Sequence, residues 1–178
     1  PATGEIYCGL YSYLIDWAQK KGYTFEIQKH ENFGLPLEEN DLITPEAVAG
    51  VVRALSLPVK VRDYQLKAIY ECLRYNRRVL LSPTASGKSL MIYSLVRFHV
   101  NVDRPVLIVV PTTSLVEQMY KDFEEYGWKA SAYCHKIYGG EEKYTEHPVT
   151  ITTWQSIYKE PRKWFERYDV IIGDEAHL

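Results

Sequence analysis

The sequence is poor in cysteine and has no long apolar run. Its 178 residues include only three cysteines, Cys8, Cys72 and Cys134. Their wide spacing matches no zinc or disulfide pattern, so we expect reduced thiols and a cytoplasmic protein. No apolar run approaches the ~20 residues that a membrane-spanning helix needs. The first residues lack the basic and apolar regions of a secretory signal, so we expect neither secretion nor membrane insertion.

An excess of charge of one sign is also missing. The 21 Lys and Arg nearly balance the 23 Asp and Glu, for a formal net charge of −2. Nucleic-acid binding therefore has no global electrostatic support and must depend on local groups. A hydrophobic content of 46% and a charged content of 25% are ordinary for a globular protein. The chain begins with Pro1, which is compatible with removal of Met and also with an incomplete N-terminus.

Helical spacing and turn residues divide the first part of the chain. Apolar residues from Leu10 to Ala18 recur at helical spacing and Gly22 follows as a stop, after which Thr24 to Gln28 alternate as a short strand. Residues 32–43 contain Gly and Pro among several acids, which is typical of a linker. We therefore predict one domain ending near residue 31, a linker over 32–43 and a second domain over 44–178.

The second domain is predicted to be α/β. Thr44-Pro45 is a helix-start signature, with a helix to about Leu55. A second helix carries apolar residues between Leu66 and Leu73 on one face. Short apolar runs then alternate with helical segments, which suits strands covered on both faces in a parallel sheet. The runs are Val79–Leu81, Val106–Val110, Val149–Thr152 and Val170–Ile172.

The segment SPTASGKS at 82–89 has the strand–loop–helix context of a phosphate-binding loop. Gly87 would let the backbone approach phosphates, Lys88 would neutralise the β- and γ-phosphates, and Ser89 would bind magnesium. The usual pattern begins with Gly where this chain has Ser82, and the alternative is a plain loop with an exposed lysine. The predicted nucleotide-binding residues here are Ser82, Pro83, Thr84, Ala85, Ser86, Gly87, Lys88 and Ser89.

Two carboxylates follow the last apolar run. Asp174 and Glu175 come directly after Val170–Gly173, and ligands of open α/β sheets bind at the carboxyl ends of the strands. Asp174 is suited to hold magnesium through water and Glu175 to polarise the attacking water. The alternative is a solvated turn. We predict ATP and Mg²⁺ as cofactors, Lys88, Asp174 and Glu175 as catalytic residues, and Ser89 and Asp174 as magnesium residues.

With the phosphate loop, Asp174-Glu175-Ala176-His177 resembles superfamily-two helicases and translocases of the DEAH/DExH type. The resemblance implies a RecA-like P-loop NTPase fold, preceded by the end of a small α+β domain. Arg62 and Gln65 stand where this family recognises adenine, and an amide can pair with both N6 and N7 of that base. The alternative for Gln65 is an exposed helical residue. The resemblance is strong from Val61 onward and weak before Asn32.

The resemblance also implies contacts with nucleic acid. Val110 to Gln118 is similar to the family's first nucleic-acid-contacting motif, where hydroxyls and a helix start meet a backbone phosphate. A plain helix cap is the structural alternative, and the two roles are compatible. A tryptophan at position 154 is more often a core residue than a base platform. The predicted nucleic-acid-binding residues are Pro111, Thr112, Thr113, Gln118, Gly140, Thr153, Trp154 and Gln155.

Three functions are compatible with these motifs. The preferred one is an ATP-dependent DNA helicase or annealing motor that acts on single-stranded or branched DNA, with RNA–DNA hybrids as a further partner. The alternatives are a double-stranded DNA translocase subunit and a nucleotide-binding module without motor function. The family places a second RecA-like domain with arginine fingers after the position of Leu178. We therefore expect the 178-residue segment alone to bind ATP weakly and not to unwind DNA.

Overall fold

A computed structural model describes residues 10–26, 40–75, 77–83 and 85–175. Helices and strands alternate from the middle of the chain onward. In the described residues none of the helices combines the length and the apolar character that crossing a bilayer requires. The helices there are α1 Tyr11–Lys20, α2 Pro45–Ala54, α3 Asp63–Tyr75, α4 Lys88–Val100, α5 Thr113–Glu125, α6 Ala130–Tyr133, α7 Trp154–Ile157 and α8 Arg162–Phe165, and the strands are β1 Val106–Val110, β2 Cys134–Ile137, β3 Val149–Thr153 and β4 Val170–Gly173.

The four strands form one parallel sheet in the order β2-β3-β1-β4. Val106 of β1 pairs with Val149 of β3 on one side and with Val170 of β4 on the other. The predicted parallel sheet is confirmed, and β1, β3 and β4 lie where the apolar runs predicted them. Strand β2 was not predicted, because two of its four residues, His135 and Lys136, are polar.

Helix α4 lies at the centre of the packing. Every residue from Leu90 to Val96 is buried, because both sides of the helix are covered. One side packs with β1, β3 and α5, where Tyr93 and Val96 are completely buried. The other side packs with α2 and α3 through Met91 and Leu95. Burial on both sides fixes the start of α4, which is the end of the predicted phosphate loop.

Helix α1 ends at Lys20, and Gly22 follows its end as the predicted stop. Gly22 has a φ of +72°, and the amide of Tyr23 donates to the carbonyl of Ala18 at 3.0 Å, which closes a left-handed helix cap. The strand predicted over 24–28 is wrong for 24–26, which are not in a strand, and residues 27 and 28 lie outside the described residues. No strand among the described residues pairs with 24–26, and a strand needs such a neighbour.

The helix start predicted at Thr44-Pro45 is confirmed. The hydroxyl of Thr44 caps α2 by accepting from the amide of Ala47 at 3.2 Å. Most of the predicted linker lies outside the described residues, but its last part packs on α3. Arg74 forms an ion pair with Asp41 at 3.0 Å, and Ile43 is buried in the cluster of α2, α3 and α4. The division into two domains stays a prediction.

The strand predicted at Val79–Leu81 is wrong. Residues 77–83 form no strand, and Val79 and Leu81 are 89% and 97% exposed. A strand exists only where a neighbour accepts its backbone hydrogen bonds. Both sides of β1 are occupied by β3 and β4, and residues 77–83 pair with none of the four described strands.

Candidate nucleotide site and nucleic-acid edge

The segment before α4, which the sequence predicts as the phosphate loop, contains two left-handed residues. Ala85 and Gly87 adopt left-handed conformations, with φ of +61° and +78°, and the amide of Ser86 turns back to the carbonyl of Pro83 at 3.3 Å. Thr84 lies outside the described residues. Helix α4 then begins at Lys88, and the first N–H groups of a helix have no partner within it. Such a terminus favours an anion.

Gln65 lies beneath this loop and is 5% exposed. Its amide nitrogen donates to the carbonyl of Ser86 at 3.0 Å, and its amide oxygen accepts from the amide of Arg62 at 2.9 Å. The hydroxyl of Tyr64 donates to the same Ser86 carbonyl at 2.8 Å. The interpretation of Gln65 as an exposed helical residue is therefore wrong. Arg62 is exposed, and contacts of Gln65 and Arg62 with adenine stay a prediction.

An ion pair joins the two motifs that are far apart in sequence. The ammonium of Lys88 contacts a carboxylate oxygen of Glu175, and the two side chains are only 28% and 26% exposed. The hydrogen bond that Lys88 donates to Glu175 is the main cause of the raised pKa of Lys88. Lys88 is therefore not the exposed lysine of a plain loop.

Asp174 continues the sheet by one hydrogen bond beyond β4. Its amide donates to the carbonyl of Val109 at 2.9 Å, and its carboxylate accepts from the amide of Glu175 at 3.0 Å. Both acids are half-buried, which contradicts a fully solvated turn. The pair lies at the carboxyl edge of the sheet, as the sequence predicted.

Ser89 contacts a residue that the sequence did not indicate. Its hydroxyl lies 2.9 Å from the hydroxyl of Tyr126, which directly follows α5. Burial raises the pKa of Asp122, and a hydrogen bond with Ser89 partly offsets that rise. Nothing in the sequence around Tyr126 signals this contact, because it depends on how α5 packs against α4.

Magnesium fits the chemistry of the donors at this edge. The Ser89 hydroxyl and the Asp174 carboxylate are hard oxygen donors, which Mg²⁺ prefers. The described residues contain no group of three or more His, Cys, Asp or Glu that could hold a metal ion. A site with one carboxylate and one hydroxyl would need phosphate oxygens and water to complete it, which is the usual way in which proteins hold Mg²⁺.

The predicted nucleic-acid residues at the start of α5 are largely exposed. Thr112 caps the helix, since its hydroxyl accepts from the amide of Leu115 at 3.3 Å. The same hydroxyl lies 2.9 Å from that of Ser114. Thr113 and Gln118 are exposed and Pro111 is half-buried. Hydroxyls and a helix N-terminus therefore face solvent where β1 ends.

The other predicted nucleic-acid residues follow β2 and β3. Gly140 has a φ of +95° in the turn after β2. Thr153 is buried, and its hydroxyl lies 2.9 Å from that of Ser156. Trp154 is 56% exposed, so its interpretation as a core residue is wrong, and Gln155 is exposed too. Because the sheet is parallel, all these positions share the carboxyl edge with Asp174.

The chain is similar to known proteins that move on or unwind DNA. A 120-residue part is 41% identical to the ATP-dependent DNA helicase uvsW of Enterobacteria phage T4, covering 65% of this chain and 24% of that protein. Over 180 residues the chain is 25% identical to the DNA 3'-5' translocase XPB2 of Sulfurisphaera tokodaii, covering 98% of this chain and 38% of that protein. The chain thus spans less than half of either relative.

Two solved structures share the fold. The crystal structure of the UvsW helicase from bacteriophage T4 has a TM-score of 0.85 and 30% identity, over 97% of this chain and 63% of that one. A second crystal structure of T4 UvsW has a TM-score of 0.83, also with 30% identity, over 97% of this chain and 36% of that one. The sheet is therefore that of a RecA-like helicase domain. Residues 58–178 match the family model of the type III restriction enzyme res subunit, and because this match spans most of the chain, the chain belongs to that family.

Proposed function

We propose that this chain supplies the ATP-binding side of an ATP-hydrolysing DNA helicase or translocase. The observation that carries the proposal is the ion pair between Lys88 and Glu175. It joins the start of α4 to the end of β4, although the two motifs are far apart in the sequence. Two isolated motifs that matched by chance would have no reason to meet at one edge of the sheet.

The phosphate loop would hold the nucleotide. Its backbone N–H groups and the start of α4 would surround the phosphates, and Lys88 would neutralise the β- and γ-phosphates. Ser89 and Asp174 would hold the magnesium ion, which neutralises charge that develops on the transferred phosphoryl group. Gln65 would support the loop from below through Ser86.

Glu175 would act on water. In the structure its carboxylate pairs with Lys88, and triphosphate oxygens would compete for the same ammonium group. Once Lys88 turns to the phosphates, the carboxylate of Glu175 can orient and polarise the attacking water. Binding of nucleotide would therefore also prepare the acid for hydrolysis.

DNA would bind along the same carboxyl edge. The hydroxyls of Thr112 and Thr113, the helix start and the turn at Gly140 are suited to backbone phosphates, and Trp154 offers an exposed ring for a base. The formal net charge of −2 is compatible with such localised contacts. Contacts with phosphate position the strand without reading its sequence.

Replacing Glu175 by Gln in the full-length protein tests the proposal. The variant keeps the shape and loses the general base, so we expect hydrolysis to fall by ~10²-fold or more. A fluorescent ATP analogue should still bind in the presence of Mg²⁺. Glu125→Gln is the matched control, because Glu125 is an exposed acid on α5 whose contact is an ion pair with Lys121. Unchanged hydrolysis in Glu175→Gln would overturn the proposal.

The choice between helicase and translocase needs a separate experiment. Strand displacement from a forked duplex would support a helicase, and displacement of a triplex-forming strand without unwinding would support a translocase. If DNA did not change the rate of ATP turnover and the protein displaced neither kind of strand, the result would support a nucleotide-binding module and contradict a motor.

A further inference from the structure

Gly139 and Gly140 form an open turn immediately after β2. Both have left-handed backbones, with φ of +60° and +95°, and no atom lies within 4 Å of where a Cβ would stand on either. The amide of Glu141 donates to the carbonyl of Tyr138 at 3.1 Å across the turn. Since both glycines are exposed, we expect the position of this turn to depend on the residues that flank it.

Glu117 of α5 accepts hydrogen bonds from Lys136 of β2 and from Tyr138, which lies between β2 and the glycine turn. The ammonium of Lys136 donates to both of its carboxylate oxygens, at 2.8 and 2.9 Å. The hydroxyl of Tyr138 donates to one of the same oxygens. Lys136 also lies over the ring of Tyr120, 4.6 Å from the ring centre. Two residues of α5 therefore hold the end of β2.

Glu117, Lys136 and Tyr138 shift one another's pKa values through their hydrogen bonds. Hydrogen bonds from Lys136 and, after it, from Tyr138 lower the pKa of Glu117. The same hydrogen bonds, which the Glu117 carboxylate accepts, raise the pKa values of Lys136 and Tyr138. The charge of Lys136 is thus matched by Glu117, although the side chains are 31% and 49% exposed.

The cluster connects two loops at the same edge of the sheet. Glu117 lies one turn into α5, the helix that begins at the exposed Thr112 and Thr113. Tyr138 directly precedes the glycine turn. Strand β3 lies between β2 and β1, so apart from these side-chain bonds the two loops are joined through the sheet and through the apolar packing of α5 on it.

We propose that Glu117, with Lys136 and Tyr138, is a positioning residue that holds the Gly139-Gly140 turn at a fixed distance from the start of α5, so that both contact one nucleic-acid backbone. This inference rests on the proposed function. It assigns a role to three side chains that need not touch DNA themselves. A strand whose phosphates are regularly spaced binds best when its two contact points are fixed before it arrives.

Tyr138→Phe in the full-length protein removes one hydroxyl and leaves the ring in place. We expect the Kd for a single-stranded oligonucleotide, measured by fluorescence anisotropy, to rise about 3- to 10-fold. The DNA concentration that half-stimulates ATP hydrolysis should rise by the same factor. The rate without DNA and the KM for ATP should not change. Glu125→Gln, which removes an ion pair elsewhere on α5, is the control and should behave as wild type.

Glu117→Gln distinguishes a role of Glu117 in positioning the turn from a role in matching the charge of Lys136. If the cluster only tuned charge, loss of the carboxylate would leave Lys136 unmatched and DNA binding would tighten. Positioning predicts weaker binding, because the neutral amide is a poorer acceptor for Lys136 and Tyr138. The double variant with Tyr138→Phe should be less than additive, because both changes weaken the same hydrogen bond between Glu117 and Tyr138. Tighter binding in Glu117→Gln, or wild-type binding in Tyr138→Phe, would overturn the inference. If the variants lost thermal stability and ATP affinity together with DNA affinity, the change would be a general folding defect, and this would also overturn the inference.

Failure of this inference is distinguishable from failure of the proposed function. If the wild-type protein binds no oligonucleotide and DNA does not stimulate its ATP hydrolysis, the proposed function fails and this inference with it. If the wild type binds DNA and replacement of Thr112 and Thr113 weakens binding, while the variants of Glu117 and Tyr138 bind normally, only the positioning role fails.

Discussion

Gly87 occupies a position that other residues do not fit, for two reasons. Its φ of +78° is one that L side chains rarely adopt. A Cβ added there would stand 2.4 Å from the amide nitrogen of Gln65, which is itself bonded to the loop. Gly87→Ala should therefore displace either the loop or Gln65. We expect ATP affinity to fall by at least ~10-fold, which isothermal titration of the full-length protein would measure.

A second glycine provides the matched control for this change. Gly50 lies within α2, and a Cβ there would meet only a guanidinium nitrogen of Arg53, at 4.0 Å. Gly50→Ala should leave ATP affinity unchanged and stabilise the protein by roughly 0.5–1 kcal/mol, because alanine favours the helix. Equal ATP affinity in Gly87→Ala and Gly50→Ala would show that the loop does not need its left-handed residue.

His99 makes the stability of the protein sensitive to acid. It is 8% exposed, its Nδ1 has no hydrogen-bond partner, and burial followed by the nearby Arg104 lowers its pKa to about 4. Between pH 6.5 and about 4 the unfolded chain binds a proton there that the folded chain does not. The free energy of unfolding should therefore fall as the pH drops through that window, by at most roughly 3 kcal/mol.

His99→Leu should remove this dependence. Urea unfolding at several pH values would give the free energies, and the variant should lose less stability than the wild type between pH 6.5 and 4. The same acid slope in both proteins would assign the effect to other groups.

Single side chains were the hardest feature to predict from the sequence. Gln65 was expected to contact adenine, which stays a prediction, and its burial beneath Ser86 follows from how α3 meets the loop. Tyr126 was missed because its contact with Ser89 joins two helices whose packing no local pattern encodes. Trp154 is exposed at the end of β3, although tryptophan usually favours a core. Residue type sets what a side chain can do, and tertiary packing sets what it meets.

The residues at the start of helix α5, Thr112 to Ser114, are all exposed to solvent. Thr112→Val removes the hydroxyl that accepts from Leu115, and the lost cap should cost about 1 kcal/mol. Together with Thr113→Val, it should weaken single-stranded DNA binding about equally for unrelated sequences, because phosphate contacts carry no sequence information. Anisotropy titrations with two oligonucleotides of different sequence would measure this.

The conservative replacement Thr112→Ser is the control for this experiment. Serine keeps the cap and the hydroxyl, so DNA affinity should stay near that of the wild type. A loss confined to one oligonucleotide would contradict a groove that follows the backbone.

Elements with strong local signals were predicted well. The cap at Thr44 and the apolar runs of β1, β3 and β4 appear where the sequence placed them. Segments whose structure depends on pairing with another strand were predicted poorly. Val79–Leu81 is as apolar as β1 but pairs with none of the described strands, whereas β2 is half polar and still pairs with β3. Apolar composition shows that a segment prefers burial, but it does not show which segments pair in the sheet.

The sheet has an open edge at β4. Ile171 is 59% exposed there, and β4 pairs only with β1 in the described sheet. An apolar edge with unpaired backbone groups promotes association between molecules. We expect the 178-residue chain, produced alone, to aggregate, and Ile171→Lys to reduce the aggregation by adding charge at that edge. Sedimentation velocity over a range of concentrations would measure the effect.

The control removes a similar apolar surface away from the sheet. Leu42 is 87% exposed and precedes α2, so Leu42→Lys should change aggregation much less. If both variants reduced aggregation equally, general surface hydrophobicity would be responsible and the edge would have no special role.

The strand order also sets the sequence of events as the protein is made. β1 begins at residue 106, but its two neighbours begin at residues 149 and 170. At ribosomal rates of roughly 5–20 residues per second, the central strand therefore leaves the ribosome seconds before either partner exists. During this time the five apolar residues of β1 lack the backbone hydrogen bonds that they later form with β3 and β4. The newly made chain should thus depend on chaperones during this interval, before β3 and β4 have been made.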